Sequence, residues 1–141
     1  MILRKTFRFE ASHILPRHPG RCSRLHGHSW VLDVYVEGDR NPKTGFVMDF
    51  ADISGWISPL IANLDHTHLG TWDTVKLPYN RDFAVIGMLD DFYPTSENLL
   101  WWIGERIDDF PWSQLTLHET CTSYASLGRP EYINATHSTG V

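Results

Sequence analysis

The chain has 141 residues, 42% hydrophobic and 21% charged, which suits one globular domain with its own core and excludes a largely disordered chain. A formal net charge of −5 argues against a nucleic-acid binder, which needs a basic footprint on the phosphates. No apolar run approaches the ~20 residues of a membrane helix, and Arg4, Lys5, Arg8 and Glu10 interrupt the place where an export signal would lie.

The first element is a strand: Phe7, Phe9, Ala11 and His13 share one face at period two, with Arg8 and Glu10 on the other. A loop rich in Pro, Gly and Arg (residues 14–25) leads to a second strand. There His26, His28, Trp30, Leu32, Val34 and Val36 face one way and Asp33 and Glu37 the other. After a turn at "DRNPKTG", Asp49 is suited to start a helix from Phe50 to Leu64, whose Phe50, Ile53, Ile57, Leu60, Ile61 and Leu64 recur at helical spacing. Gly55 and Pro59 are blemishes in it. Residues 70–93 have no clean period and read as a long inserted loop with a short helical turn. A second helix starts at "PTSEN", capped by Thr95 or Ser96, and buries Leu99, Leu100, Ile103 and Ile107. Then "QLTLHETCTSY" alternates, with Leu115, Leu117, Glu119 and Cys121 on one face, and "YASL" makes a last strand before a polar tail at 129–141. The expectation is a single α+β domain over 1–141 in the order ββααββ: a four-stranded antiparallel sheet with two helices on one face.

The chemistry concentrates around "CSRLHGHSW". His26 and His28 point the same way on one strand, and His13 ends the neighbouring strand facing inward, so the three imidazoles can converge on one ion. Neutral imidazole suits zinc, and three protein ligands leave a fourth position open, as in catalytic rather than structural sites. Cys22 could be the fourth ligand, but it lies in the loop rather than on the strand face. Arg21 and Arg24 flank it and favour the thiolate, so it reads better as a base than as a ligand. An Asp65-His66 pair follows the first helix, where a carboxylate can fix the tautomer of an imidazole. Glu119 sits on an apolar strand face, where a carboxylate needs hydrogen-bond donors: an Arg or Lys, or failing these a ligand with two adjacent N–H groups. His18, His68, His118 and His137 read as ordinary histidines satisfied within the fold. Cys22 and Cys121 read as free thiols in a reducing, cytoplasmic compartment.

In order, "FEASH", "CSRLHGH", "TGFVMDF", "LDHTHL", "PTSEN" and "HETCT" resemble the 6-pyruvoyltetrahydropterin synthase/QueD family over about residues 5–127. The short spacing from Cys22 to His26 and the "ETCT" strand are most similar to its 6-carboxytetrahydropterin synthase branch. The resemblance implies a tunnelling fold, in which three sheets join into a twelve-stranded barrel and two trimers stack as a hexamer. It also implies zinc on His13, His26 and His28. Cys22 would be the general base, Asp65-His66 a proton relay reaching a neighbouring subunit's zinc, and Glu119, beside Thr120, the anchor of a pterin ring. The implied reaction converts dihydroneopterin triphosphate to 6-carboxytetrahydropterin with loss of acetaldehyde and triphosphate, for queuosine and other deazapurines. The alternatives are the pyruvoyl-forming reaction without carbon–carbon cleavage, or a non-catalytic zinc- and pterin-binding module. The chain departs from the family's usual pattern in the length of 70–93 and in Leu69-Gly70, where Leu-Asn is usual.

Overall fold

The computed structural model describes residues 1–70, 85–87 (backbone) and 93–131. Most of the expected 70–93 loop and of the 129–141 tail, including His137, lies outside the described residues. Strands β1 (Ile2–His13) and β2 (His26–Glu37) pair antiparallel in full register, from Ile2 opposite Glu37 to His13 opposite His26. Helix α1 (Phe50–Leu64) follows, then β3 (Thr67–Gly70), β4 (Val85–Gly87), α2 (Ser96–Arg106), β5 (Gln114–Thr120) and β6 (Ser123–Gly128).

The sheet differs from the expected four antiparallel strands and from the ββααββ order. β1, β2, β5 and β6 do form an antiparallel set. Two short strands, β3 and β4, extend it in parallel past β1, so the sheet is mixed and six-stranded, in the order β4-β3-β1-β2-β5-β6. Sequence periodicity misses both because segments of 4 and 3 residues are too short to establish a period of two. β4 also lies inside the stretch expected to be loop. Of β1, only Ala11–His13 pair with β3. Among the described residues, the rest of the outer edge of β1 and the outer edge of β6 therefore have no strand partner.

Both helices lie on one face of the sheet. Asp49 caps α1 by accepting from Ala51 N–H, and Thr95 caps α2 by accepting from Asn98 N–H. Ile53, Ile57 and Leu64 of α1 meet Leu99, Leu100 and Ile103 of α2 over Phe9, Trp30, Leu32, Val34, Leu115 and Leu117 of the sheet, all 2% exposed or less. At roughly 1.5–3 kcal/mol for each large side chain removed from water, this core fixes the strand register. Register in turn fixes which residues reach the inner face beyond the core. One step past Phe9, Ala11 and Trp30, that face changes from apolar to imidazole.

Candidate metal centre

His13, His26, His28 and Glu119 end the inner faces of β1, β2 and β5, and their ligand atoms all lie within 4.8 Å of one another. Nε2 of His13 stands 2.9 Å from Nε2 of His26 and 3.5 Å from Oε1 of Glu119, and Nε2 of His28 is 3.0 Å from the same oxygen. Two nitrogens on a tetrahedral zinc stand about 3.3 Å apart, given Zn–N bonds of about 2.0–2.1 Å. The observed separations bracket that value.

Tautomers sharpen the case. Nδ1–H of His13 donates to the Pro94 carbonyl at 2.7 Å, and Nδ1–H of His26 donates to the Arg24 carbonyl at 2.7 Å. A carbonyl can only accept, so in the neutral imidazole each Nε2 carries a lone pair. Two lone pairs then face each other at hydrogen-bond distance with no proton between them. That contact is repulsive unless a cation lies near both. Nε2 of His28 is buried and makes no hydrogen bond despite its closeness to Glu119. Burial holds the pKa values of His13 and His28 below the ordinary imidazole range; for His13 the Pro94 carbonyl, and for His28 the Glu119 charge, partly offset it. Both rings are therefore neutral near pH 7, the form that binds metal.

The surroundings hold these rings still. The indole of Trp30 packs edge-on to His13 and His28, with ring centres 5.3 and 5.2 Å away, and its N–H donates to the Ala11 carbonyl. Between the two histidines of β2, a Cβ on Gly27 would meet that same carbonyl at 3.3 Å. Glycine there lets the two strands approach where their histidines pair.

Glu119 is part-buried, and Ser96 at the start of α2 donates to its Oε2 at 2.6 Å. Among the described residues the carboxylate thus takes its hydrogen bond from a serine rather than from Arg or Lys. Sequence reasoning placed Glu119 but missed Ser96 and Pro94 as its neighbours' partners. Their signal was the "PTSEN" segment, which reads locally as a helix cap and nothing more. Cys121 leaves the inner face, because the β5–β6 register shifts between His118 and Thr120 and the strand ends before it. Thr120 is exposed and its hydroxyl lies 3.3 Å from that of Thr122.

The remaining expected residues lie outside this group. Cys22 is partly buried in a single helical turn at Arg21–Ser23, where its carbonyl accepts from Leu15 N–H. Asp65 ends α1. Its Oδ1 accepts from Glu10 N–H at 2.8 Å and its Oδ2 lies 3.0 Å from Nδ1 of His66. These two partners, the Glu10 N–H first, pull the Asp65 carboxyl below its ordinary range. His66 has φ of 57°, a left-handed conformation that costs a non-glycine residue of order 1 kcal/mol. Its N–H donates to the Glu10 carbonyl at 2.6 Å, which holds it there. The ring is 80% exposed, and among the described residues its Nε2 makes no hydrogen bond. The other histidines are satisfied in different ways. Buried His68 meets the Ser12 hydroxyl at 2.9 Å, and burial lowers its pKa to about 4. His118 pairs with Asp33 on the far face of the sheet. His18 is exposed and accepts from Gly20 N–H.

The fold and site together define an α+β protein with a group of three imidazoles and a carboxylate at the end of its sheet that could hold a metal ion. The family model described as 6-pyruvoyl tetrahydropterin synthase matches residues 2–130, and the chain belongs to that family. It is 38% identical over 137 residues to the 6-carboxy-5,6,7,8-tetrahydropterin synthase of Synechocystis sp., covering 92% of this chain and 94% of that one. It is 32% identical over 99 residues to the dihydroneopterin monophosphate aldolase of Pyrococcus furiosus, covering 70% and 68%. The solved 6-pyruvoyl tetrahydropterin synthase of Caenorhabditis elegans shares the fold, with a TM-score of 0.73 at 20% identity over 92% of this chain and 95% of that one.

Proposed function

We propose that this chain is a zinc-dependent lyase that converts 7,8-dihydroneopterin triphosphate and one water to 6-carboxy-5,6,7,8-tetrahydropterin, releasing acetaldehyde and triphosphate. The observation that carries the reading is the approach of Nε2 of His13 to Nε2 of His26 at 2.9 Å while each ring's Nδ1 is taken by a carbonyl, in a chain 38% identical to a 6-carboxytetrahydropterin synthase. Neutral imidazoles with a carboxylate suit zinc, which when bound supplies Lewis-acid polarisation of hydroxylated carbon.

The protein's own residues do the rest. Glu119, with Oε2 steadied by Ser96, accepts from the ring N–H and the exocyclic amino group of the pterin, with Thr120 beside it, and so orients the side chain. Cys22 takes a proton from carbon. His66, its Nδ1 held at Asp65, moves a proton to or from oxygen. Because His66 is exposed and outside the imidazole group, it serves the site of an adjacent copy. The open edges of β1 and β6 support closure of sheets by threes into a barrel, as a trimer or stacked hexamer. The polar face away from the helices, where Asp33 accepts from Thr6 and pairs with His118, suits the inside of that barrel. Two unpaired cysteines fit a cytoplasmic enzyme, and the carboxypterin product fits the supply of queuosine-type deazapurines.

Incubation of the metal-loaded protein with dihydroneopterin triphosphate tests this. The expected products are 6-carboxytetrahydropterin and equimolar acetaldehyde. A pyruvoyl product without acetaldehyde moves the chain to the sister reaction, and binding without turnover makes it a pterin-binding module.

A further inference from the structure

We propose that the loop joining β1 to β2, residues 14–25, is the subsite for the polyphosphate tail of the substrate, gripped by Arg17, Arg21 and Arg24. The inference rests on the pterin triphosphate reading above and adds to it the residues that recognise the anion.

The chain has 17 acidic against 12 basic residues, yet from Ala11 to Trp30 it holds Arg17, Arg21, Arg24 and four histidines and no Asp or Glu. All three arginines are exposed, and none has an ion-pair partner among the described residues. Three guanidinium groups on one short loop repel one another. That arrangement becomes favourable when an anion of several charges lies among them.

Topology places that anion. The loop leaves His13 and returns at His26, which are paired across β1 and β2, so both of its stems are metal-facing histidines. Its last turn is tied to the site directly, since the Arg24 carbonyl accepts from Nδ1 of His26 at 2.7 Å. Main-chain hydrogen bonds hold the loop in one shape: Leu15 N–H to the Cys22 carbonyl at 2.9 Å, His18 N–H to the Leu15 carbonyl at 2.9 Å, and Arg24 N–H to the Arg21 carbonyl at 3.0 Å. Arg17 N–H also donates to the Tyr93 hydroxyl at 2.9 Å, which ties the loop to the segment that leads into α2. A substrate whose side-chain hydroxyls reach the imidazole group carries its phosphates outward from there, over this loop. Arginine rather than lysine fits the task, because the planar fork matches phosphate oxygens in pairs. Three such groups match a chain of phosphates better than a single one.

Calorimetry on the metal-loaded protein decides it, with inorganic tripolyphosphate and phosphate-free neopterin as separate probes. The variant Arg17→Gln/Arg21→Gln/Arg24→Gln keeps the Arg24 carbonyl for His26, so metal content and neopterin affinity should stay at wild-type levels. Tripolyphosphate affinity should fall at least about tenfold. In the unmodified protein, tripolyphosphate binding should weaken steeply with added salt while neopterin binding does not, which tests the idea even if the triple variant folds poorly. Equal tripolyphosphate affinity in variant and wild type overturns the inference and leaves the metal as the grip on phosphate. Failure of neopterin to bind the wild type would instead sink the pterin reading, whatever the arginines do.

Discussion

The imidazole group and the residues proposed as acid–base groups, Cys22 and Asp65-His66, are built in opposite ways. His13, His26, His28 and Glu119 are fixed by strand register; Trp30 packs edge-on to His13 and His28, and hydrogen bonds to Pro94, Arg24 and Ser96 tie His13, His26 and Glu119. These four side chains and their three partners all come from one chain. Cys22 lies in a loop, and Asp65-His66 sits at the surface behind β1 with its imidazole 80% exposed. A metal centre tolerates little positional error, so it is made inside a sheet. Groups that exchange protons with substrate need access, and the exposed ring of His66 has it. The strained φ of His66 belongs to this second region: its conformation is held by Glu10, and what it gains is the outward aim of its ring.

The largest expected effect bears on that division. Cys22→Ala and His66→Ala should each reduce turnover by roughly 10²–10⁴-fold, the usual range for a positioned acid or base. If the two groups of one site come from different chains, mixing and reassembling the two inactive variants should restore activity at up to about a quarter of the sites, the share expected for random pairing. Steady-state rates of the separate and mixed proteins measure this. No recovery on mixing, with subunit exchange verified by mass, would place both groups in one chain.

The next effect concerns the buried half. Zinc affinities of about 10–16 kcal/mol shared over three imidazoles imply that losing one weakens binding by roughly 10²–10⁴-fold. His26→Ala and His28→Ala should therefore lose most metal on dialysis against a mild chelator, while Cys22→Ala keeps it. Metal analysis of the three variants separates ligand from base. A Cys22→Ala protein that empties alongside the histidine variants would merge the two regions into one.

Much of this was legible in the sequence because the relevant period is short and unambiguous. Alternation at His26-Gly27-His28, continued through Trp30 and Leu32, aligned both rings with the core face, and the helix from Phe50 to Leu64 announced itself by spacing and by Asp49. Other features were not readable. β3 and β4 are too short to carry a period, and what makes them strands is pairing with β1 and with each other. Cys121 followed the alternation on paper but leaves it where the register shifts after His118. The strand pattern placed Glu119 inward, but nothing local said that a helix start 23 residues earlier would deliver Ser96 to it.

That contact gives the smallest and most discriminating effect. Glu119→Gln turns one acceptor into a donor that faces the ligand's own donors, and should cost pterin affinity roughly 2–4 kcal/mol, with metal retained on the three imidazoles. Ser96→Ala leaves the charge in place and removes its steadying donor. A hydrogen bond to a charged group contributes about 1.5–3 kcal/mol, and water can replace part of it at a part-buried site, so about 1–2 kcal/mol is expected. The loss should appear in pterin affinity and KM far more than in kcat, since Ser96 orients the anchor and does not touch the reacting carbon. Ser96→Thr keeps the hydroxyl and the helix start and should recover most of the loss. A general weakening of α2 would behave differently, because unfolding midpoints would fall for Ser96→Ala while the KM-to-kcat split stayed flat. Equal pterin affinity in Ser96→Ala and wild type would mean that Glu119 is held by the imidazoles and the metal alone, with Ser96 no more than a neighbour.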